Sequence, residues 1–200
     1  KNEAEQAVLP VYNLDQNVFL NTEEKIREFH NSGRELLTNS VTTKSIEEFR
    51  ATIIEKFGIE ISSNDIRALI KLKFAIGLEE NLISLIGKIS DQGIILKNLF
   101  IHGEEEKGIA LIRNTELERS IRVSGIFDIT ESKERLSEEI DRLELAQSES
   151  NLLKSLSSLF TSPNVNYNNL ETEARKTQAR NSVETVFYAI KKGKVIIRKG

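Results

Sequence analysis

The sequence predicts an α+β fold in a single compact unit, with a helical subregion over about residues 21–93 and a small mixed or antiparallel sheet that joins the N- and C-terminal segments. Three observations favour this class. Apolar residues recur at helical spacing between cap signals in the first half, short apolar runs replace that period after Gly93, and no linker rich in Gly, Pro or Ser divides the chain. The sheet and the C-terminal helices are expected over about 94–200. Two lobes stay open, because 200 residues suffice for one large core or two small ones.

The N-terminal segment is expected to be a short helical tail that runs into an extended stretch within residues 1–20, because Pro10 disfavours helix at the residue before it. Thr22 has the side chain of a helix cap and precedes an apolar stripe that begins with Ile26 and Phe29. We therefore expect the first long helix to begin at Thr22.

Three more helices are expected before the sheet. The clearest begins at Ser45, because Glu48 stands three positions later, at the spacing of a capping box. Another begins at Ser62 or Ser63, and the last covers about 78–92.

The apolar period changes twice in the second half. Helical spacing returns after Asp128, where Leu136, Ile140 and Leu143 are expected to face inward. Strands are expected in GIILKNLFI and KGIALIRN, with a polar loop between them, and over Glu118–Ser124. Further along, helices are expected in SNLLKSLSSLF and LETEARKTQARNSV, and paired strands in VETVFYAI and KVIIRKG.

Composition excludes several classes of function. A net charge of -3 gives the surface no general attraction for nucleic acid, so no nucleic-acid partner is expected. The absence of Cys removes disulfide, thiol-nucleophile and cysteine–zinc chemistry and fits an extracytoplasmic location. No apolar run approaches the roughly 18 residues of a membrane span. Because the chain contains no Met, we expect it to be a processed or excised piece of a larger protein.

No catalytic constellation is present in the sequence. The only histidines are His30, on an expected helix, and His102, in an expected loop, and neither belongs to an HExxH or His-Asp motif. No GxSxG, P-loop or GxGxxG motif occurs. Both histidines are expected to be inert surface residues. The sequence therefore predicts no catalytic residue, no metal site and no cofactor in this fragment.

Acidic residues often stand side by side, as in Glu79–Glu80 and Glu104–Glu106. Neighbours on a helix point about 100° apart and cannot share one substrate atom. Most of these acids are expected to be solvated residues in first helical turns, where the helix dipole favours them. The Glu104–Glu106 run lacks the spaced oxygen ligands of a calcium loop.

The last ten residues carry the one charge anomaly, because they contain five Lys or Arg and no acid. Contact with lipid headgroups is one explanation. We favour another, in which Lys194, Ile196 and Arg198 form the exposed face of a strand and the lysines protect a sheet edge.

Motifs near both ends resemble those of a known family. Near the N-terminus, the phrase A-x-x-x-V-x-P-V-Y-x-x-D is occupied by Ala4, Val8, Pro10, Val11, Tyr12 and Asp15. Near the C-terminus, a Pro-Asn pair, a Tyr, a helix with two Ala-Arg pairs and two strand motifs are occupied by Pro163, Asn164, Tyr167, Ala174, Arg175, Ala179, Arg180, Val183, Val186, Phe187, Lys192, Gly193, Val195, Ile196, Arg198 and Gly200. In these motifs the chain resembles the extracellular domain of the bacterial seven-transmembrane HD-domain receptors.

The resemblance implies a role in signalling. In that family a cytoplasmic HD domain hydrolyses cyclic-di-AMP, and no His-Asp dipeptide of such a domain occurs in this chain. The chain is thus expected to be a non-enzymatic input domain on the extracytoplasmic side of the bacterial cell membrane. It would pass a signal from an unknown ligand or envelope protein, through flanking transmembrane helices of the same protein, to a metal-dependent HD-type phosphodiesterase. The resemblance assigns no ligand-binding residue.

A second function stays open, namely a protein-interaction or dimerisation module of the cell envelope, with residues 21–93 as its surface and a homodimer as one form. The two terminal motifs also carry a spatial prediction. Both are expected near the membrane, so Val8–Leu14 and Val186–Ile190 are predicted to be close in space, as neighbours in one sheet.

Overall fold

The computed structural model describes residues 2–39, 45–96, 108–113, 116–121 and 125–183. The helices are α1 Asn2–Gln6, α2 Gln16–Asn39, α3 Ile46–Phe57, α4 Ser63–Lys71, α5 Ile76–Gln92, α6 Ile129–Asp141, α7 Gln147–Phe160 and α8 Asn169–Ser182. The strands are β1 Val11–Leu14, β2 Ile94–Ile95, β3 Ile109–Arg113, β4 Glu116–Ile121, β5 Phe127–Asp128 and β6 Val165–Tyr167.

Four strands form a mixed sheet in the order β4-β3-β1-β6. In its middle, β1 runs parallel to β3, with Tyr12 opposite Leu111, and antiparallel to β6, with Tyr12 opposite Tyr167. A strand near the N-terminus therefore pairs with one from the last quarter of the chain. The predicted α+β class and the small mixed sheet are confirmed.

The predicted strands have different outcomes. Strands β3 and β4 confirm those expected in KGIALIRN and around Glu118–Ser124. In GIILKNLFI only Ile94–Ile95 is described as a strand, and it pairs in parallel with β5 in a separate two-stranded sheet. The strands expected in VETVFYAI and KVIIRKG, and with them the predicted proximity of Val186–Ile190 to β1, lie outside the described residues.

The chain divides into two compact units, a division that the sequence leaves open. The larger unit, Leu9–Asn168, contains both sheets and helices α2 to α7. The smaller unit consists of Lys1–Val8 and Asn169–Gly200 and contains α1 and α8. Within it the guanidinium of Arg180 donates a hydrogen bond to the carboxylate of Glu5. The first and the last described helices are thus joined by an ion pair.

An aromatic cluster organises the helical core of the larger unit. Phe29 on α2 is fully buried. Its ring meets those of Phe57, Phe74 and Phe160 edge-on, with centroid distances of 5.7, 5.9 and 5.5 Å. These partners belong to α3, the turn after α4, and α7, so the stripe predicted from Phe29 holds four elements together. Full burial of each such side chain contributes about 1.5–3 kcal/mol.

Local capping interactions explain why α3 begins and ends where the sequence predicts. The amide of Glu48 donates to the hydroxyl of Ser45 at 3.2 Å, and the carboxylate of Glu48 accepts from the amide of Ser45 at 2.8 Å. Gly58 ends the helix at a φ of 63°, a conformation that glycine adopts without steric cost. Ser62 caps α4 and α5 ends at Gln92, so these two predictions are also confirmed.

The predicted start of the first long helix at Thr22 is wrong. Helix α2 begins at Gln16, and the carboxylate of Asp15 accepts a hydrogen bond from the amide of Asn17 at 2.9 Å. Asp15 therefore occupies the capping position. The hydroxyl of Thr22 instead donates to the carbonyl of Val18 at 2.8 Å, a bond that a threonine inside a helix often forms.

The inward face predicted for α6 is correct for Leu136 and Ile140 and wrong for Leu143. The helix ends at Asp141, and Leu143 is 40% exposed. The chain turns there through Glu144, which has a φ of 51°. The helical period no longer applies beyond that turn.

Candidate functional site

An open pocket of about 130 Å³ lies in the larger unit, where β1 leads into α2 and α5 ends. Its lining combines apolar and polar side chains. The lining residues are Leu14, Gln16, Phe19, Leu20, Ser90, Asp91 and Asn164. An apolar wall with a few convergent polar groups is typical of small-molecule sites.

Asn164 fixes the inner end of this pocket. It is 1% exposed, and both ends of its side-chain amide are occupied. Its Oδ1 accepts from the amide of Ile94 at 2.7 Å, and its Nδ2 donates to the carbonyl of Ser90 at 2.8 Å. Its own carbonyl accepts from the amide of Asp15 at 2.8 Å. Because Asn164 ties β2, α5 and the start of α2 together, the pocket is preformed.

Phe19 and Leu20 on α2 supply much of the apolar wall. The absence of a side chain at Gly87 lets Phe19 approach α5, because a Cβ there would lie only 2.8 Å from the ring. Leu20 is 55% exposed and lies at the rim. The wall thus offers apolar surface to a molecule that enters from solvent.

Several polar side chains of the lining are available to a ligand. Across the described ranges, neither the side-chain amide of Gln16 nor the carboxylate of Asp91 has a hydrogen-bond or ion-pair partner. The buried amide of Asn164, by contrast, is satisfied within the fold. Polar contacts with a ligand are therefore expected from Gln16, from Asp91 and from the hydroxyl of Ser90, which also has no partner among the described residues.

His30 departs from the prediction of an inert surface residue, because it is fully buried. Its ring lies 5.4 Å from that of Phe29 and 5.9 Å from that of Phe74, and neither ring nitrogen has a hydrogen-bond partner in the described part of the chain. Burial lowers the pKa of His30 to about 4, because desolvation disfavours the imidazolium form, while the nearby carboxylate of Glu79 opposes this shift. The imidazole is neutral at physiological pH.

Glu79 departs from the expected solvated acid in a similar way. It lies in the first turn of α5, as predicted, yet it is only 5% exposed. Its carboxylate pairs with the guanidinium of Arg34 at 2.8 Å and with that of Arg27 at 3.5 Å. Arg34 also donates to the carbonyl of Phe74 at 2.7 Å. These ion pairs and this hydrogen bond join α2 to α5 and to the turn before it, which indicates a structural role for Glu79.

The sequence assigns no catalytic, ligand-binding or metal residue that the structure could test directly. His102 and Glu104–Glu106, the one loop cluster it considers, lie outside the described residues. Within the described ranges, no group of three or more His, Cys, Asp or Glu is placed to hold a metal ion.

Sequence reasoning missed the pocket almost entirely. Gln16, Ser90 and Asp91 belong to no motif, because they come together only when the end of α5 meets the start of α2. Of the polar lining residues, Asn164 alone belongs to a motif recognised in the sequence, as the second residue of the Pro-Asn pair. That motif residue proves to be the structural centre of the pocket.

Other motif residues meet in the sheet of the larger unit. The rings of Tyr12 and Tyr167 lie 5.3 Å apart across β1 and β6. Asp15 and Asn164 are joined by a backbone hydrogen bond at the end of the same strand pair. The N-terminal and C-terminal motifs are thus two halves of one structural feature.

Comparison with known proteins identifies the family of the chain. A family model described as 7TM-HD extracellular matches residues 1–200. No curated protein and no solved structure matches the chain. In the part of the chain that the structure describes, no helix is long and apolar enough to cross a membrane. The family implies an extracytoplasmic location. The chain belongs to the 7TM-HD extracellular family, the extracellular sensor domains of 7TM-HD proteins.

Proposed function

We propose that this domain is the input module of a membrane-bound cyclic-di-AMP phosphodiesterase and relays a ligand or envelope signal to a cytoplasmic HD domain outside this chain. The observation that carries the proposal is the family match over residues 1–200. Hydrolysis belongs, in this proposal, to the metal-dependent HD domain, and the present domain sets its activity from the other side of the membrane.

The preformed pocket beside Asn164 supports a sensing role and is the proposed input site. It offers an apolar wall together with the free polar groups of Gln16 and Asp91. A ligand changes a conformational equilibrium only if it binds one arrangement more tightly than the other. The pocket meets that condition if the start of α2 and the end of α5 move apart in the second arrangement.

The smaller unit is the proposed output. It contains α1 and α8, which are joined by the ion pair of Glu5 with Arg180. The family relation implies that the chain continues from these segments toward flanking transmembrane helices of the same protein. A change in the pairing of α1 with α8 would therefore move those helices relative to each other.

A ligand screen tests the proposal. Envelope-derived metabolites are first screened by thermal shift on the 200-residue chain, since a ligand present at 100 times its Kd stabilises the folded state by about 2.7 kcal/mol. Each hit is then added to the full-length protein in membranes, and hydrolysis of cyclic-di-AMP is measured. We expect hits to change the hydrolysis rate. A saturating hit that leaves the rate unchanged would refute the relay for that ligand, and a partner protein captured in cells, with no hits, would favour the interaction module.

A crosslink tests the output helices separately. Because the chain contains no Cys, the double variant Glu5→Cys and Arg180→Cys places a unique thiol pair in this domain. Linking the pair with a short bis-maleimide in the full-length protein should fix the hydrolysis rate and abolish its response to ligand. The single variant Glu5→Cys, treated identically, is the control. A linked protein that responds as fully as the untreated one would refute signal transfer through α1 and α8.

A further inference from the structure

We infer that the pocket beside Asp91 binds a small organic cation, namely a protonated amine attached to an apolar body of about the size of a benzene ring. This inference rests on the proposed sensing function and names the ligand class of its input site. It follows from the charge of the pocket, from the helix ends that form it and from its volume.

The charge of the lining selects for a cation. Among the described residues, the lining contains no Lys, Arg or His, and its one ionisable side chain is Asp91. Within the described residues that carboxylate has no ion-pair partner, unlike the acid Glu79 on the same helix. An ammonium group is the natural counter-ion for a free carboxylate at a pocket mouth.

The end of α5 and the start of α2 also favour a cation over an anion. Asp91 lies in the last turn of α5, where the helix dipole places partial negative charge. The opposite pole, at the start of α2, would attract an anion, but the carboxylate of Asp15 already caps it by accepting from the amide of Asn17. The pocket therefore offers an anion no uncompensated positive pole.

The apolar wall and the volume describe the rest of the ligand. Leu14, Phe19 and Leu20 face the pocket, whose volume of about 130 Å³ is close to the roughly 150 Å³ of an engineered cavity that holds benzene. The side-chain amide of Asn164 already has hydrogen-bond partners within the fold and does not require one from a ligand. The carbonyl oxygen of the Gln16 amide is left to accept a second N–H from the ammonium group.

Three probes of one shape and different charge test the inference. Benzylamine, benzyl alcohol and benzoate are titrated into the 200-residue chain at pH 7, and binding is followed by amide chemical shifts in NMR spectra. We expect benzylamine to bind about three- to tenfold more tightly than benzyl alcohol, the range for one partly exposed charged contact. Benzoate is expected to bind most weakly. The largest shifts should belong to Gln16 and Asp91.

A matched pair of variants assigns the effect to one carboxylate. Asp91→Asn should reduce the affinity for benzylamine to that for benzyl alcohol and leave the alcohol unaffected. Glu80→Gln removes an exposed acid from the same helix, outside the pocket, and should change neither affinity. Equal binding of amine and alcohol, an unchanged affinity in Asp91→Asn, or no binding of any probe would overturn the inference.

The same probes separate this inference from the proposed function. If benzylamine binds as expected but leaves cyclic-di-AMP hydrolysis by the full-length protein unchanged, the cation-binding site is supported and signal relay is refuted for this ligand. If no probe binds while another envelope metabolite alters hydrolysis, the ligand class is wrong and the sensing function stands.

Discussion

Replacing His30 with leucine is predicted to remove an acid-sensitive part of the free energy of unfolding. His30 is fully buried, and its pKa is lowered from 6.5 to about 4. Between these two values the imidazole stays neutral in the folded chain but takes up a proton on unfolding. The unfolded state then binds more protons, so stability is complete above pH 6.5 and falls as the pH falls toward 4.

The size of the effect follows from the shift in pKa. One unit corresponds to about 1.4 kcal/mol, so the shift to about 4 corresponds to about 3 kcal/mol in total. About 2 kcal/mol of this should be lost between pH 7 and pH 5. The variant His30→Leu lacks this loss. At pH 7 it should be at least as stable as the original chain, because it also removes two buried ring nitrogens that have no partner in the described structure.

Urea unfolding of both proteins at pH 7, 6 and 5 measures the difference. His102 and all carboxylates are present in both, so their titration cancels when the two profiles are subtracted. An NMR titration of the imidazole protons gives the pKa of His30 directly. Parallel pH profiles for the two proteins, or a measured pKa near 6.5, would refute the assignment of this acid sensitivity to His30.

Three further predictions concern packing and polar contacts, and each is tested by urea unfolding at pH 7. Arg34→Met should reduce the free energy of unfolding by about 2–3 kcal/mol, because it leaves the buried carboxylate of Glu79 with only the more distant guanidinium of Arg27 as a partner. A loss below about 0.5 kcal/mol would contradict the structural role of this ion pair. Gly33→Ala should cost about 1–3 kcal/mol, because the new methyl group would overlap the ring of Phe74, whereas Gly77→Ala faces open space and should gain at most about 1 kcal/mol. Equal effects at the two glycines would contradict the close packing. Asn164→Ala should cost about 2–3 kcal/mol, because it leaves a backbone amide and a carbonyl without their partner, and unchanged stability would show that Asn164 does not hold the pocket together.

The elements that were predicted correctly depend on local contacts. Ser45 and Glu48 are three positions apart and form their capping box within one helical turn. The predicted start of α2 is wrong because several cap-type residues, among them Asp15 and Thr22, stand close together in the sequence. Local propensity does not choose between them. Asp15 is the residue that caps the helix because its backbone amide donates a hydrogen bond to the carbonyl of Asn164, a residue far away in the sequence.

The burial of His30 and Glu79 was not predicted, because it is completed by contacts with residues distant in the sequence. Helical spacing places His30 on the same face of α2 as the buried Ile26, but the ring of Phe74 that encloses it belongs to a turn more than 40 positions away. The guanidinium of Arg34, which pairs with Glu79, is 45 positions from it in the sequence. Phe74 in that turn has a φ of 50° and lies against Gly33, so its ring and its carbonyl reach α2.

The motifs that identify the family and the residues that would bind a ligand are different sets in this chain. Tyr12, Asp15, Asn164 and Tyr167 are motif residues, and in the structure they pair strands and fix the start of α2. The free polar groups of the pocket lie in non-motif positions, of which Asp91 is the one with charge. Recognition of the family therefore identifies the scaffold and its place outside the membrane, whereas the ligand class depends on side chains that only the folded chain brings together. The proposed input site thus depends on positions outside the family motifs, and Asp91 is the first position at which to test its proposed preference for a cation.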